Sequence, residues 1–422
     1  MQSLHAARGG LPFFLAIFFN AFIDLGHKIT IQNTLFKLHD GAEQVWLIAV
    51  VNALILLPYI LLFAPIARGV SRRPKPHIMR FTAWVSLLLT LVLTMCYALG
   101  LFWQAFALTF LMAVQSAIYS PAKLSYLKIL FGISALTRAN GLAQAWVIAG
   151  ILLGTVAFSL AFEALFTNAL TSHGAVIAKM WPLGIALVLL ALVQLWLVYR
   201  VPLLERDEQL MDAAQGTTAP WNARAIIGQV TATPAFWLPV FGLSLFWAIG
   251  QGMLATFPSY AKAYAGITNA AVIQGILAAT SIGIAVGAQI AGLLSRGRVN
   301  LQLIPFGIVG LCCGLWSLEF WEKPLAFAVL YFLMGVSSAL FLVPLNTYLQ
   351  WQAGSQTLGS LIAASNLMQN IAMLVMLLLT IGFTLVNTDV EWLMAIIAIL
   401  ATVGGVVLVA GVAYLPRTRG GE

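Results

Sequence analysis

The segment FFLAIFFNAFIDLGHKITIQNTLF (residues 13–36) is apolar and long enough to cross a lipid bilayer, yet charged residues lie near its middle. Asp24 follows Pro12 by 12 residues, which corresponds to about 18 Å along an α-helix, near the centre of a hydrocarbon core about 30 Å thick. An unpaired charge at that depth costs about 3 kcal/mol or more. The segment therefore predicts a transmembrane helix whose Asp24 faces protein or water.

Three polar residues share the helical face of Asp24. Asn20 lies four residues before it, and His27 and Lys28 lie three and four residues after it, a spacing that aligns side chains along a helix. We interpret this stripe as a functional site that faces inward. The structural alternative is that Lys28 neutralises Asp24 so that a broken helix can pack. The two interpretations are compatible if the pair opens during a conformational cycle.

Composition places the whole chain in the membrane. Of its 422 residues, 61% are hydrophobic and 8% are charged, and the mean hydropathy is +0.97, whereas soluble domains carry about 25% charged residues. A soluble globular protein is thereby excluded. Cys96, Cys312 and Cys313 fall in apolar runs, so neither a disulfide framework nor a metal site is expected, and no cofactor is predicted.

Twelve apolar segments of about 18 to 25 residues predict an all-α membrane protein with twelve transmembrane helices. The segments cover residues 13–35, 44–67, 81–100, 102–122, 139–164, 177–199, 236–259, 270–294, 302–319, 325–348, 357–385 and 391–415. A long polar stretch separates the sixth segment from the seventh. It predicts a central loop at 204–233 between two six-helix bundles, at 1–203 and 234–422.

The positive charges predict the orientation in the membrane. Sixteen Lys and Arg residues fall in loops on one side of the predicted helices, four fall on the other side, and Lys28 lies within a helix. Because cytoplasmic loops are enriched in positive charge, both termini and the central loop are expected in the cytoplasm. The net charge of +8 therefore reflects topology, and a nucleic-acid partner is not expected.

The two halves resemble a parallel repeat. An offset of 223 residues pairs Arg73 with Arg296 after the second and eighth segments, and Pro121 with Pro344 near the ends of the fourth and tenth. Two parallel six-helix bundles predict such pairs, and the major facilitator architecture has this organisation. The basic residues after the second and eighth segments are expected to latch the cytoplasmic helix ends: Arg72, Arg73, Arg296 and Arg298.

Several stretches across the chain resemble the bacterial lysophospholipid transporters of the major facilitator superfamily. They are AFIDLGHK (21–28), IYSPAKLSYLKIL (118–130), TRANGLAQAWVIAGILLG (137–154), SLFWAIGQGMLA (244–255), FLVPLNTYLQ (341–350) and SNLMQN (365–370). The resemblance implies a flippase that moves lysophosphatidylethanolamine and related lysophospholipids from the outer to the inner leaflet of the bacterial inner membrane. It also implies reacylation by a cytoplasmic acyltransferase/acyl-carrier-protein synthetase, which this chain, ending in YLPRTRGGE, is expected to lack as a fusion. The transporter itself is expected to be a monomer.

This sequence departs from that family at three positions. Leu25 stands where stand-alone members have asparagine, Leu254 where they have arginine, and Gln369 where they have glutamate. If those family residues bind head groups, His27 and Lys28 are the candidate replacements here.

The polar residues of the predicted helices are the candidate contacts for a lipid head group. The candidate substrate-binding residues are Asn20, Asp24, His27, Lys28, Lys123, Gln144, Gln251, Asn366 and Gln369. Asp24 is expected to bind an ethanolamine amine, while Lys28 or Lys123 meets the phosphate. The alternatives are interhelical hydrogen bonds for the amides and snorkelling to lipid head groups for Lys123.

Two rival functions are considered. A proton-coupled exporter of drugs or metabolites would use Asp24 or His27 as a proton carrier, and the sequence does not separate it from a flippase. A membrane acyltransferase would need a histidine and an aspartate placed for acyl transfer. Neither an H-x-x-x-x-D motif nor a G-x-S-x-G motif occurs, so an enzyme is not predicted.

Overall fold

The computed structural model describes residues 9–39, 41–167, 169–204, 228, 231, 234–267, 270–295, 298–353, 358–386 and 389–415. Within these ranges the chain forms fourteen α-helices and one 3-10 turn, and no strand. Both termini and most of the predicted central loop lie outside the described residues, as does Arg296.

The helices of the first half of the chain are α1 (Gly10–Leu38), α2 (Gly41–Leu61), α3 (Phe63–Ser71), α4 (Lys75–Ala98), α5 (Phe102–Phe131), α6 (Leu136–Leu165), α7 (His173–Lys179) and α8 (Trp181–Tyr199). Those of the second half are α9 (Pro234–Ala265), α10 (Ala270–Leu294), α11 (Leu303–Trp316), α12 (Pro324–Gln352), α13 (Leu358–Leu385) and α14 (Val390–Val412). The 3-10 turn, Leu318–Phe320, follows α11.

Each of the twelve predicted segments coincides with a helix. Ten of the described helices are long and apolar enough to cross a membrane. The second predicted segment is a bent pair, because α2 and α3 meet at 56° where Leu62 leaves helical geometry. The ninth is α11, which at 14 residues is shorter than the predicted 302–319.

The chain divides into two compact units. The first unit comprises residues 1–130 and 149–219, and the second comprises 131–148 and 220–422. The change between 219 and 220 falls inside the predicted central loop. The amino-terminal half of α6, however, groups with the second unit, whereas the predicted bundle at 1–203 included it.

Small residues let α1 approach the carboxyl-terminal half of α6 within the first unit. A Cβ atom at Gly150 would lie 2.5 Å from the Phe18 carbonyl oxygen, and one at Gly154 would lie 2.9 Å from that of Phe22. Backbones in such proximity leave no room for a side chain, and membrane helices use small residues at such crossings. This contact fixes the rotation of α1 and so the direction of its polar stripe.

The second unit uses the same device where α10 crosses α12. A Cβ atom at Gly283, Gly287 or Gly335 would collide with a carbonyl oxygen of the opposite helix. The helices therefore meet backbone to backbone.

Candidate functional site

Asp24 lies within the first unit, held by neighbours on two helices. Its Oδ2 atom accepts a hydrogen bond of 3.0 Å from Asn20 Nδ2, one turn earlier on α1. The same atom accepts a short hydrogen bond from Ser116 Oγ of α5. Within the described part of the chain, no hydrogen bond reaches the other carboxylate oxygen, Oδ1. One face of the carboxylate is thus fixed and the other is open to a ligand.

Asn20 anchors this arrangement to three helices. Its Oδ1 atom accepts hydrogen bonds from Gln115 Nε2 of α5 at 3.1 Å and from Gln194 Nε2 of α8 at 3.0 Å. All three amides are buried. Buried polar groups in a membrane helix bundle need such partners, and hydrogen bonds between helices restrict the orientation of each side chain. The Oε1 atom of Gln194 is buried without a partner among the described residues, but the bonds to Asn20 Oδ1 fix the amide that supports Asp24.

Lys123 is the cation that interacts electrostatically with Asp24. Its Nζ atom lies 5.6 Å from the ring centroid of Tyr119, one turn earlier on α5, in cation–π geometry. The hydroxyl of Tyr119 is buried, and no hydrogen-bond partner for it occurs among the described residues. A carboxylate, an ammonium group and a phenol hydroxyl without a partner therefore lie near one another, beside the amide network.

The α5 residues of this cluster could have been found from their spacing. Ser116, Tyr119 and Lys123 are separated by three and four residues, so they share one helical face, as the α1 stripe does. Lys123 is among the predicted substrate-binding residues, but Tyr119 is not, because an uncharged aromatic residue in an apolar run does not stand out.

The structure contradicts the interpretation that Lys28 neutralises Asp24. Among the described residues the ion pair found is Lys37 with Glu163, at 2.8 Å, and Asp24 has none. The hydrogen-bond partners of the carboxylate are Asn20 and Ser116 instead. Lys28 is half-buried on α1 and remains a candidate for the substrate phosphate.

His27 is engaged elsewhere in the first unit. Its Nδ1 atom lies 2.9 Å from the Tyr97 hydroxyl of α4, and its Nε2 atom lies 3.0 Å from Thr109 Oγ1 of α5. The ring is 1% exposed. Both nitrogens therefore link helices, and the structure does not bring His27 into the Asp24 cluster.

The remaining substrate-binding candidates belong to the second unit. Gln369 Nε2 donates to Ser365 Oγ over 2.7 Å, one turn earlier on α13, and Asn366 lies on the same helix. Gln251 on α9 and Gln144 on α6 are half-buried.

Three residues of the predicted latch are described, and all three are exposed: Arg72, Arg73 and Arg298. The Arg73 carbonyl accepts from Lys75 Nζ at 3.2 Å, and the Arg298 carbonyl accepts from Thr137 Oγ1 at 3.3 Å. In the second unit, the amides of Asn140 and Gln350 form a reciprocal pair.

In that pair, Gln350 Nε2 donates to Asn140 Oδ1 over 2.8 Å, and Asn140 Nδ2 donates to Gln350 Oε1 over 3.3 Å. Both residues are at most 2% exposed. Close by, Gln289 Nε2 of α10 donates to the Gly141 carbonyl over 3.3 Å. These contacts hold the amino-terminal half of α6 on α10 and α12 within the second unit. Both amides fall inside stretches that carry the family resemblance, which was the signal available in the sequence.

Comparison with curated proteins confirms the resemblance to bacterial lysophospholipid transporters. The chain is 29% identical over 380 residues to a protein of Yersinia enterocolitica named Lysophospholipid transporter LplT, covering 88% of this chain and 86% of that protein. It is 28% identical over 403 residues to the protein of the same name from Photorhabdus laumondii, covering 91% and 92%.

Solved structures show the same fold. A bacterial homologue of the iron transporter ferroportin, in an outward-facing state, matches with a TM-score of 0.71 at 16% identity, over 96% of this chain and 100% of that one. The Escherichia coli fucose:proton symporter FucP matches with a TM-score of 0.70 at 14% identity, over 95% and 99%. A family model described as Major Facilitator Superfamily matches residues 13–377. This match spans most of the described helices, and the chain therefore belongs to the Major Facilitator Superfamily.

Proposed function

We propose that this protein is a lysophospholipid flippase of the bacterial inner membrane. It moves lysophospholipids, with lysophosphatidylethanolamine as the main substrate, from the outer to the inner leaflet by alternating access. The observation that carries the proposal is the similarity to two proteins named lysophospholipid transporters over 88% and 91% of this chain. These relatives are named as transporters and not as enzymes, which supports a transport function.

The chemistry of the Asp24 cluster supports a zwitterionic head group. The open Oδ1 of Asp24 is an acceptor for the ammonium group of ethanolamine, and such charge-assisted hydrogen bonds are about twice as strong as neutral ones. Lys123 supplies a cation for the phosphate, and the unpartnered hydroxyl of Tyr119 supplies a neutral donor beside it. Lys28 is the second candidate cation.

The acyl chain needs an apolar path beside this head-group site. Phe18 and Phe22 of α1 are half-buried, and their ring centroids lie 5.6 Å apart. Phe158 of α6 continues the row at 6.0 Å from Phe22. In contrast, Phe13 and Phe14 are fully buried and serve packing. We assign Phe18 and Phe22 to the acyl-chain wall, while Phe158, which is 4% exposed, packs against Phe22.

In the cell, the proposed topology has the termini and the central loop in the cytoplasm. A separate cytoplasmic acyltransferase/acyl-carrier-protein synthetase reacylates the delivered lipid. The transporter acts as a monomer in this scheme. Gln144, Gln251, Asn366 and Gln369, which all belong to the second unit, are further proposed substrate contacts.

Uptake of labelled lysophosphatidylethanolamine tests the function. Spheroplasts that express this chain together with a reacylating enzyme should convert the added lipid to diacyl phospholipid, and spheroplasts that express Asp24→Asn should not. Glu163→Gln is the matched control, because it removes a carboxylate from an exposed ion pair outside the cluster. Conversion no faster than in cells without the chain would overturn the proposal. Uptake that stops when the proton gradient is collapsed would indicate proton coupling.

A further inference from the structure

A basic and aromatic surface lies between α4 and α8, outside the Asp24 cluster. We call it the α4–α8 surface, and it consists of Arg80, Trp84, Trp196, Tyr199 and Arg200. The two tryptophans and Tyr199 are each more than half exposed, at 53%, 56% and 53%. In a membrane-spanning unit such side chains meet lipid.

Arg80 is held in place, but not all of its N–H groups have a hydrogen-bond acceptor. Its guanidinium carbon lies 5.0 Å from the ring centroid of Tyr199, and its Nη2 atom donates to the Val201 carbonyl over 3.2 Å. Its Nε atom is buried, and no hydrogen-bond partner for that atom occurs in the part of the chain that the structure describes. Because Nε is buried, a ligand outside the protein would meet the accessible N–H groups of the half-buried guanidinium.

Arg200 repeats the arrangement at the end of α8. Its guanidinium carbon lies 4.6 Å from the ring centroid of Trp196, and the side chain is exposed. Trp84 Nε1 donates to the Tyr199 hydroxyl over 3.1 Å, which joins the aromatic rings of α4 and α8 into one surface. Stacking on aromatic rings pre-organises a guanidinium for planar, two-point recognition of phosphate.

The α4–α8 surface is positively charged and lies at one end of the transmembrane helices. Neither arginine has a carboxylate within 4.0 Å among the described residues. α4 begins at Lys75 and α8 ends at Tyr199, so both arginines lie at one end of the transmembrane helices, which the charge asymmetry predicts to be cytoplasmic. Phospholipid phosphates lie at this depth, and basic pockets between transmembrane helices bind anionic head groups.

We infer that the α4–α8 surface binds an anionic phospholipid of the cytoplasmic leaflet. The phosphodiester accepts hydrogen bonds from the accessible part of the Arg80 guanidinium and from the Arg200 guanidinium, while the acyl chains lie along the exposed apolar residues of α4 and α8. Phosphatidylglycerol and cardiolipin carry the required negative charge. The lipid at this surface is a bound neighbour of the transporter and not its cargo.

The test uses the full-length protein in detergent, supplied with phosphatidylglycerol, cardiolipin or phosphatidylcholine. Native mass spectrometry should detect retained phosphatidylglycerol or cardiolipin in preference to phosphatidylcholine. In Arg80→Gln/Arg200→Gln the retention of anionic lipid should fall about tenfold or more, because two charge-assisted contacts are lost. Arg72→Gln/Arg73→Gln is the matched control, since it removes the same charge from exposed residues at the same end of the first unit. It should reduce retention less than about threefold.

Further variants distinguish a specific lipid-binding site from general electrostatic attraction of anionic lipid. Arg80→Lys/Arg200→Lys keeps the charge but loses the planar, two-point donor geometry of guanidinium and its stacking on the rings. It should therefore behave like the glutamine variant. Trp196→Leu keeps an apolar surface and removes the ring beneath Arg200, which serves as a second test should the arginine variants fail to fold. Equal losses in both arginine-to-glutamine pairs, or full retention by the lysine variant, would overturn the inference. Displacement of the lipid by glycerophosphate at equal concentration would also overturn it, because a membrane lipid is held by its acyl chains as well.

Discussion

Asn20 and Asp24 lie one turn apart on α1, and the amide Nδ2 of Asn20 donates to the Asp24 carboxylate over 3.0 Å. Because the carbonyl oxygen of the same amide accepts from α5 and from α8, the carboxylate is positioned by helices far apart in the sequence. Two other buried contacts, those of His27 and of the Asn140–Gln350 pair, also join helices that are far apart in the sequence.

Replacing Asp24 with asparagine should reduce lysophosphatidylethanolamine transport while leaving the fold intact. The substitution keeps the volume but removes the charge that would bind an ammonium group, a contact worth about 1.5 to 3 kcal/mol, or roughly a ten- to hundredfold rise in KM. Initial uptake rates over a range of lipid concentrations measure this. An unchanged KM would place the head group elsewhere.

Lys28→Met should not restore transport to Asp24→Asn. A structural ion pair predicts rescue in the double variant, since both buried charges are removed together. The structure shows no such pair, so the double variant should be at least as impaired as Asp24→Asn alone. Recovery to more than half of the wild-type uptake would contradict this assignment.

Lys123→Met should weaken binding of the phosphate without abolishing folding. Lys123 interacts electrostatically with Asp24 and rests over Tyr119, so the loss of its charge should raise KM by about five- to tenfold. Tyr119→Phe removes the unpartnered hydroxyl alone and should give a smaller rise. Lys128→Met, five residues further along the same helix, is the control and should transport normally. Equal effects in Lys123→Met and Lys128→Met would indicate a general charge effect.

His27→Leu should lower stability more than transport. The substitution leaves the hydroxyls of Tyr97 and Thr109 without their partner, which costs about 1 to 3 kcal/mol for buried groups. Thermal unfolding of the purified protein should begin at a lower temperature, while the folded fraction still transports. Loss of transport at wild-type stability would instead indicate that His27 contacts the substrate or carries a proton.

The Asn140–Gln350 pair should show coupling in a double-mutant cycle. Each single alanine variant removes the two hydrogen bonds of the pair from the amide that stays buried, whereas the double variant removes both amides, so the double loss should be about 1 kcal/mol smaller than the sum of the single losses. Denaturation midpoints measure the four stabilities. Asn346→Ala is the control. Asn346 lies on α12 with Gln350, but its side chain donates to the Leu342 carbonyl of the same helix, so it should show no coupling to Asn140. Strict additivity for Asn140 and Gln350 would show that the pair does not act together.

Much of the fold could be predicted from the sequence because the bilayer fixes the length of each apolar segment. The twelve segments all coincide with helices, and the charge at Asp24 indicated an inward-facing site. The break at Leu62 was missed, since hydropathy continues unchanged through it. Tyr119 was missed because an aromatic residue in an apolar helix resembles ordinary packing.

The sequence by itself determined the membrane class, the number of apolar segments and the helical face that carries Asn20, Asp24 and Lys28, because these depend on spacing along one helix. Only the tertiary structure decided the partners. Ser116 lies 92 residues from Asp24, and Gln350 lies 210 residues from Asn140, so no local pattern relates them. The charge at Lys28 was compatible with a pair to Asp24, but in the tertiary structure the carboxylate accepts hydrogen bonds from Asn20 of α1 and Ser116 of α5.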